Sequence, residues 1–149
     1  MINKNTDSNH YNTKLNKKYT DGIFIVIPAF NEEKTVGPII EEIVKLGYMA
    51  VLVDDGSKDN TFKIAKSYKS KYPNNIFLYQ HVINRGLGAA LKTGMTGALI
   101  HGAKFVVTFD ADGQHAIEDI AKVSEPLKNG KADVVIGSRP FEEIGRAHV

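Results

Sequence analysis

FVVTFDADGQH, residues 105–115, sets an apolar run directly against a group of carboxylates. Phe105–Phe109 is β-branched and aromatic with no polar alternation, which predicts a strand covered on both faces. Asp110-Ala111-Asp112-Gly113 follows at once. In extended chain, residues two apart share a side, so Asp110 and Asp112 face one way and Ala111 the other. Two carboxylates so placed repel unless something neutralises them, and a hard divalent cation does. Gly113 lets the chain turn, and Gln114 and His115 stand where they complete a ligand shell or hold a water. Taken alone, the pair is equally an acidic surface turn. Its place after a buried strand favours a metal site.

The same arrangement recurs on either side. Ile23–Ile27, Ala50–Val53, Ile76–Tyr79 and Val134–Ile136 read as further strands. Between them lie helical patterns. Val36, Ile39, Ile40, Ile43 and Val44 recur at helical spacing, with Gly47 as the stop signal. Asp59 caps a helix carrying Phe62, Ala65, Tyr68 and Tyr72, which Pro73 ends. Leu91, Met95, Ala98 and Leu99 mark a third, whose Gly94 and Gly97 indicate close packing on the sheet. Ile117, Ile120, Ala121, Ser124 and Leu127 mark a fourth. Strands alternating with helices predict an α/β fold with a mostly parallel sheet, right-handed crossovers and helices on both faces.

In such sheets ligands bind beyond the carboxyl ends of the strands. Every chemically loaded segment here follows a strand: Pro28-Ala29-Phe30-Asn31-Glu32, Asp54-Asp55-Gly56-Ser57, Asn84-Arg85-Gly86-Leu87-Gly88, Asp110 to His115, and Gly137-Ser138-Arg139. Loops serving structure alone would scatter these over both edges. Asp55 is read as ligand-facing, towards base or ribose, whereas Asp54 holds its loop and Asp59 is structural. The glycines of residues 84–88 either admit a ligand to a helix N-terminus or only make a tight turn. They follow the third strand and lack the dinucleotide-binding fingerprint. Lys92 is a solvated charge or a donor contact, and Arg139 a surface residue or a phosphate contact. His10, His81 and His101 carry no partner pattern and are read as bystanders.

Composition narrows the class. The chain has 149 residues, suited to one domain, and 42% are hydrophobic. Net charge is +2, but residues 1–18 hold Lys4, Lys14, Lys17 and Lys18 against Asp7 alone. The basic surplus thus belongs to the leader and not to a nucleic-acid-binding face. Residues 1–20, rich in Asn and Lys, read as a disordered leader. The absence of Cys excludes disulfides and thiolate metal sites and fits a reducing cytoplasm. No apolar run approaches the ~20 residues that span a bilayer, and no secretory signal is present. Residues 142–149 lack periodicity and read as a non-native scar after a shortened reading frame.

IPAFNEE, VDDGSKDNT, NRGLGAALKTG, FDADGQH and IGSR together resemble the family 2 glycosyltransferases of GT-A fold, in order and register over about residues 22–139. The subgroup most resembled is the dolichyl-phosphate and polyprenyl-phosphate sugar transferases. The resemblance implies a Rossmann-like donor-binding domain over residues 22–141, truncated before the acceptor half. It implies inverting transfer from a UDP- or GDP-linked sugar, with Mg2+ or Mn2+ on the diphosphate, to a polyprenyl phosphate at a membrane surface, in envelope glycan or glycolipid synthesis. It places the protein in the cytoplasm, at the inner face of a membrane through a missing C-terminal part. Pro28, Ala29, Asn31 and Glu32 would border the nucleotide, and Asp55 the base or ribose. Asp110 would lie near ribose or sugar and help organise the metal, Asp112 would be its main ligand, and Gln114 would assist. Arg139 would meet donor or acceptor phosphate. Phe30 stands where the family commonly has Tyr, which keeps the ring and loses the hydroxyl. A lipid-phosphate acceptor is already anionic and needs no strong general base; a sugar hydroxyl does, and residues 22–139 offer no compelling one.

Three other readings compete. A donor-binding remnant without turnover shares every motif. A dinucleotide-binding oxidoreductase predicts GxGxxG after the first strand, where PAFNEE stands instead. A phospho-acceptor signalling domain predicts its acidic pair after the first strand and an Asp after the third, which the order here contradicts.

Overall fold

The computed structural model describes residues 22–114 and 116–137. It divides at Ile117/Glu118 into two units. The first carries strands β1 (Ile23–Ala29), β2 (Met49–Asp54), β3 (Ile76–Gln80) and β4 (Phe105–Thr108), with helices α1 (Val36–Lys45), α2 (Thr61–Lys71) and α3 (Leu87–Ile100). The second carries helix α4 (Asp119–Lys128).

The four strands form one sheet in the order β3-β2-β1-β4, and every pairing is parallel. In register, Ala29 lies beside Asp54, and Asp54 beside Gln80. All seven residues of β1 are buried, which follows from its central place and its two covered faces. Phe24 and Val26 pack with Val51 and Ala98 in a cluster that also takes in Phe77, Tyr79, Leu91 and Val106. By strand alternation Ile23, Ile25 and Ile27 point to the opposite face, and all three are fully buried. Each such isoleucine contributes about 1.5–3 kcal/mol by leaving water.

Helix α3 lies on β1 and β2 because two of its residues have no side chain. A Cβ at Gly94 would fall 2.3 Å from Val26 Cγ1, and one at Gly97 would fall 2.6 Å from the Tyr79 ring. The close packing expected of these glycines is observed. Met95 and Leu99, expected on the apolar stripe, are instead 41% and 67% exposed. The small residues draw the helix axis so near the sheet that Ala90, Gly94, Gly97 and Ala98 fill the contact. Helix α1 packs on β2 and against α2, burying Val36, Ile39, Ile40, Ile43 and Val44 as their spacing requires. Gly47, with φ 91°, ends it one residue beyond the C-cap.

The fifth strand expected at Val134–Ile136 does not form. Those residues have no strand structure, and Val134 and Ile136 are 76% and 85% exposed. Strand propensity expresses packing on a half-buried pleated surface, and this short run has no such surface. Helix α4 forms where its period predicts, with Ile120 and Ser124 buried. Ala121, expected on the same face, is exposed. The leader at residues 1–20, the scar at 142–149, His115 and Arg139 lie outside the described residues.

Candidate functional site

Parallel strands bring the loops after β1, β2, β3 and β4 to one sheet edge, and hydrogen bonds join them. Beyond β1, Asn31 turns the chain with φ 55°, a conformation asparagine tolerates better than most residues. Its backbone N–H donates to Ser57 Oγ at 2.9 Å, and its Oδ1 accepts from the Lys58 N–H at 2.9 Å. The Glu32 N–H donates to Thr61 Oγ1 at 2.8 Å, and the Glu33 N–H to Asp59 Oδ2 at 3.1 Å. The cap expected at Asp59 falls instead on Asn60, which makes no side-chain cap bond; Asp59 accepts from the Thr61 N–H at 2.9 Å and clamps the neighbouring loop, a structural role. Burial pushes the Asp59 carboxyl up, but bonds from Thr61 and Glu33 outweigh it and hold the group below the usual range.

Asp55 ties the second loop to the third. Its carboxylate is 4% exposed. Oδ1 accepts from the Arg85 N–H at 2.9 Å and meets His81 Nδ1 at 2.7 Å, while Oδ2 accepts from the Gly86 N–H at 2.9 Å. Burial raises its pKa, and the bonds from Arg85, His81 and Gly86 together carry it below the ordinary carboxylate value. Asp55 is therefore an anion holding the turn before α3. Gly56 permits the approach: with φ 74°, a Cβ there would lie 2.5 Å from the Ile83 backbone. Asp54, fully buried, accepts from Gln80 Nε2 at 3.1 Å and from the Ser57 N–H at 3.4 Å, as a loop-holding residue should.

A cavity of about 210 Å³ opens between these loops, lined by Pro28, Ala29, Phe30, Asp55, Asn84, Gly86, Leu87 and Ala90. Its walls are the end of β1 and the first turn of α3. Apolar surface on two sides with a carboxylate and backbone amides between is the make-up of a small-molecule site.

Beyond β4, Ala111 is 2% exposed, while Asp110 and Asp112 are exposed, the alternation predicted from the sequence. The Ala111 carbonyl accepts from the Thr35 hydroxyl at the start of α1, which fastens this loop to the one after β1. Asp112 Oδ1 accepts from the Gln114 N–H at 2.9 Å, orienting that carboxylate. Among the described residues no three His, Cys, Asp or Glu side chains gather as a metal-holding set.

Of the residues singled out from sequence, Pro28, Ala29 and Asp55 line the cavity. Asn31 and Glu32 do not line it and bind the neighbouring loop instead. Asp110, Asp112 and Gln114 share the sheet edge without lining it, and Lys92 is exposed on α3. His81 is no bystander. It is 8% exposed and meets Thr93 Oγ1 through Nε2 at 2.9 Å as well as Asp55. It is the first residue after β3, so the strand-end rule that selected residues 84–88 reaches it when applied from the strand's last residue. His101 is likewise engaged, stacked on Phe77 at 3.7 Å between centroids and 3.1 Å from the Tyr79 hydroxyl.

Residues 24–148 match the sequence profile of glycosyl transferase family 2. The chain is 44% identical over 133 residues to an uncharacterized protein of Methanocaldococcus jannaschii, covering 89% of this chain and 52% of that protein. It is 43% identical over 129 residues to the UDP-N-acetylglucosamine–dolichyl-phosphate N-acetylglucosaminyltransferase of Methanococcus voltae, covering 78% and 51%. The chain thus spans about half the length of these curated relatives. Among solved structures, a mannosyltransferase from Pyrobaculum calidifontis in complex with GDP-Man and Mn2+ superposes with a TM-score of 0.56 at 23% identity, over 76% of this chain and 38% of that one. That likeness establishes the GT-A type of fold.

Proposed function

Because the chain belongs to glycosyltransferase family 2, we propose that its parent protein moves a sugar, with inversion, from a UDP- or GDP-linked donor to a polyprenyl phosphate, and that this segment is the donor-binding half. The observation that carries the reading is the cavity walled by Pro28, Ala29, Phe30 and the first turn of α3, with the ionised Asp55 beside it. In this reading a planar base lies between the Phe30 ring and the α3 turn. The Asp55 carboxylate accepts from a base N–H or a ribose hydroxyl. The curated relative from Methanococcus voltae, whose name carries both a UDP-sugar and dolichyl phosphate, supports the choice of donor and acceptor class. A lipid-phosphate acceptor in turn supports action at the cytoplasmic face of a membrane.

The residues after β4 suit a hard divalent cation, Mg2+ or Mn2+. Asp110 and Asp112 are exposed carboxylates two residues apart at a turn, and such ions take one or two carboxylates and complete their shell with substrate phosphates. Asp112, oriented by the Gln114 N–H, is the principal ligand in this reading, with Asp110 and Gln114 assisting. Such an ion supplies Lewis-acid stabilisation of charge on the departing diphosphate. The chain's own part is to seat the nucleotide and hold the diphosphate in line for attack from the opposite side. A phosphate acceptor is anionic already and needs no strong general base.

A narrower reading of this chain alone is that it binds donor without completing transfer. Calorimetric titration of the chain with UDP- and GDP-sugars, with and without Mn2+, tests the proposal. Saturable binding of one nucleotide class, strengthened by Mn2+, is the expected result. Heats indistinguishable from dilution for both classes would remove it.

A further inference from the structure

A buried histidine joins two loops and a helix beside the cavity. His81 follows β3 and is 8% exposed. One ring nitrogen meets Asp55 at the end of β2 at 2.7 Å, and the other meets Thr93 in α3 at 2.9 Å. Asp55 lines the cavity and holds the Arg85 and Gly86 amides. Thr93 lies one helical turn beyond Ala90, which also lines the cavity. One imidazole therefore joins the ends of β2 and β3 to α3, behind two of the residues that line the cavity, Asp55 and Ala90.

We propose that His81 is a positioning residue of the donor pocket, held with Nδ1 protonated between Asp55 and Thr93. This rests on the reading of the cavity as the nucleotide site. The Nδ1 proton follows from the partners. An ionised carboxylate only accepts, so Nδ1 carries the proton, and the Thr93 hydroxyl, able to donate or accept, meets Nε2. Removing the ring takes from Asp55 Oδ1 its shortest hydrogen bond in a buried place. The carboxylate then turns towards other donors, and the Arg85–Gly86 turn loses its anchor. The cavity wall shifts while the sheet, built from other residues, stays.

The experiment joins nitrogen-15 NMR of the intact chain with calorimetric titration of UDP and GDP in the presence of Mn2+, on the parent, His81→Leu, His81→Asn and Thr93→Val. In the parent the His81 ring is expected to show a protonated Nδ1 whose signal moves on nucleotide addition. His81→Leu is expected to weaken the preferred nucleotide by about tenfold or more, the size of a lost bond to a charged group. His81→Asn places an amide donor where Nδ1 was and is expected to recover affinity to within about threefold. Thr93→Val is expected to keep the Nδ1 proton and shift the Nε2 resonance. A His81→Leu chain that keeps parental affinity overturns the positioning role, as does a ring protonated only at Nε2. If His81→Leu does not fold, the parent's ring signals decide alone: an Nδ1 signal unmoved by nucleotide overturns the role. A parent that binds neither nucleotide removes the donor-site reading itself and the positioning role with it. Binding by the parent with no loss in His81→Leu removes only the latter.

Discussion

Gly94 sits against Val26, so near that a β-carbon on the glycine would come within 2.3 Å of the valine Cγ1. Gly94→Ala must push α3 off the central strand or twist Val26 from its rotamer. We expect a loss of about 1–3 kcal/mol, the usual cost of overpacking a filled core, read as a lower urea midpoint at unchanged slope. Because α3 carries Leu87 and Ala90 of the cavity wall, nucleotide affinity should fall with it. An alanine variant as stable as the parent would contradict the close packing.

Asp112→Ala should separate metal from fold. The side chain is exposed and its internal bond goes to a neighbouring backbone amide, so stability should change by no more than about 1 kcal/mol. Mn2+-dependent enhancement of donor binding should vanish. Titrating parent and variant with the preferred nucleotide, with and without Mn2+, checks both halves. An enhancement that survives in the variant would exclude Asp112 as principal ligand.

Phe30 is 41% exposed on the cavity wall. Phe30→Ala should leave thermal stability nearly unaltered and weaken nucleotide binding roughly two- to tenfold, the worth of one stacked aromatic contact. Phe30→Tyr should retain the affinity. A tenfold gain in Phe30→Tyr would instead mean that the hydroxyl common in the family makes a polar contact that this chain forgoes.

Acid should unfold the protein partly through Asp55 and Asp59. Both carboxyls titrate below the ordinary value of 3.8 in the native state. A depressed native pKa means that the unfolded chain takes up protons first as pH falls. Their contribution is therefore complete above the ordinary value and drains away as pH drops from it through the native values. Urea midpoints followed from about pH 6 down to about pH 2.5 should fall steeply in the parent and less steeply in Asp59→Asn. Equal slopes would show that the loop clamp adds nothing to acid stability.

Much of this was legible in the residues. The strand run at Ile23–Ile27, the stop at Gly47 and the split roles of Asp54 and Asp59 follow from local rules, and the structure has each. The alternation of Asp110, Ala111 and Asp112 was readable for the same reason. What failed depended on distant neighbours. Val134–Ile136 has strand-like residues and no sheet to join. Met95 and Leu99 fit a helical stripe that the two glycines rotate out of contact. The one signal for His81 is its place directly after β3. Its partners lie 26 residues before it and 12 after it, and only the parallel sheet makes them neighbours. For the same reason the loops' mutual bonding, in which Asn31 serves Lys58 and Ser57, could not be told from direct ligand contact.

The strand order has one more consequence. From β1 the chain winds outward to β2 and β3, then doubles back past its starting point to lay β4 on the far side. At that reversal, a topological switch point, successive crossovers part and leave a crevice that no side chain has to carve. The two loops flanking it are those which Thr35 and Ala111 fasten together. Winding alone decides where an opening lies. Sequence decides only who is admitted, which is how a chain 23% identical to a solved neighbour can keep the same frame.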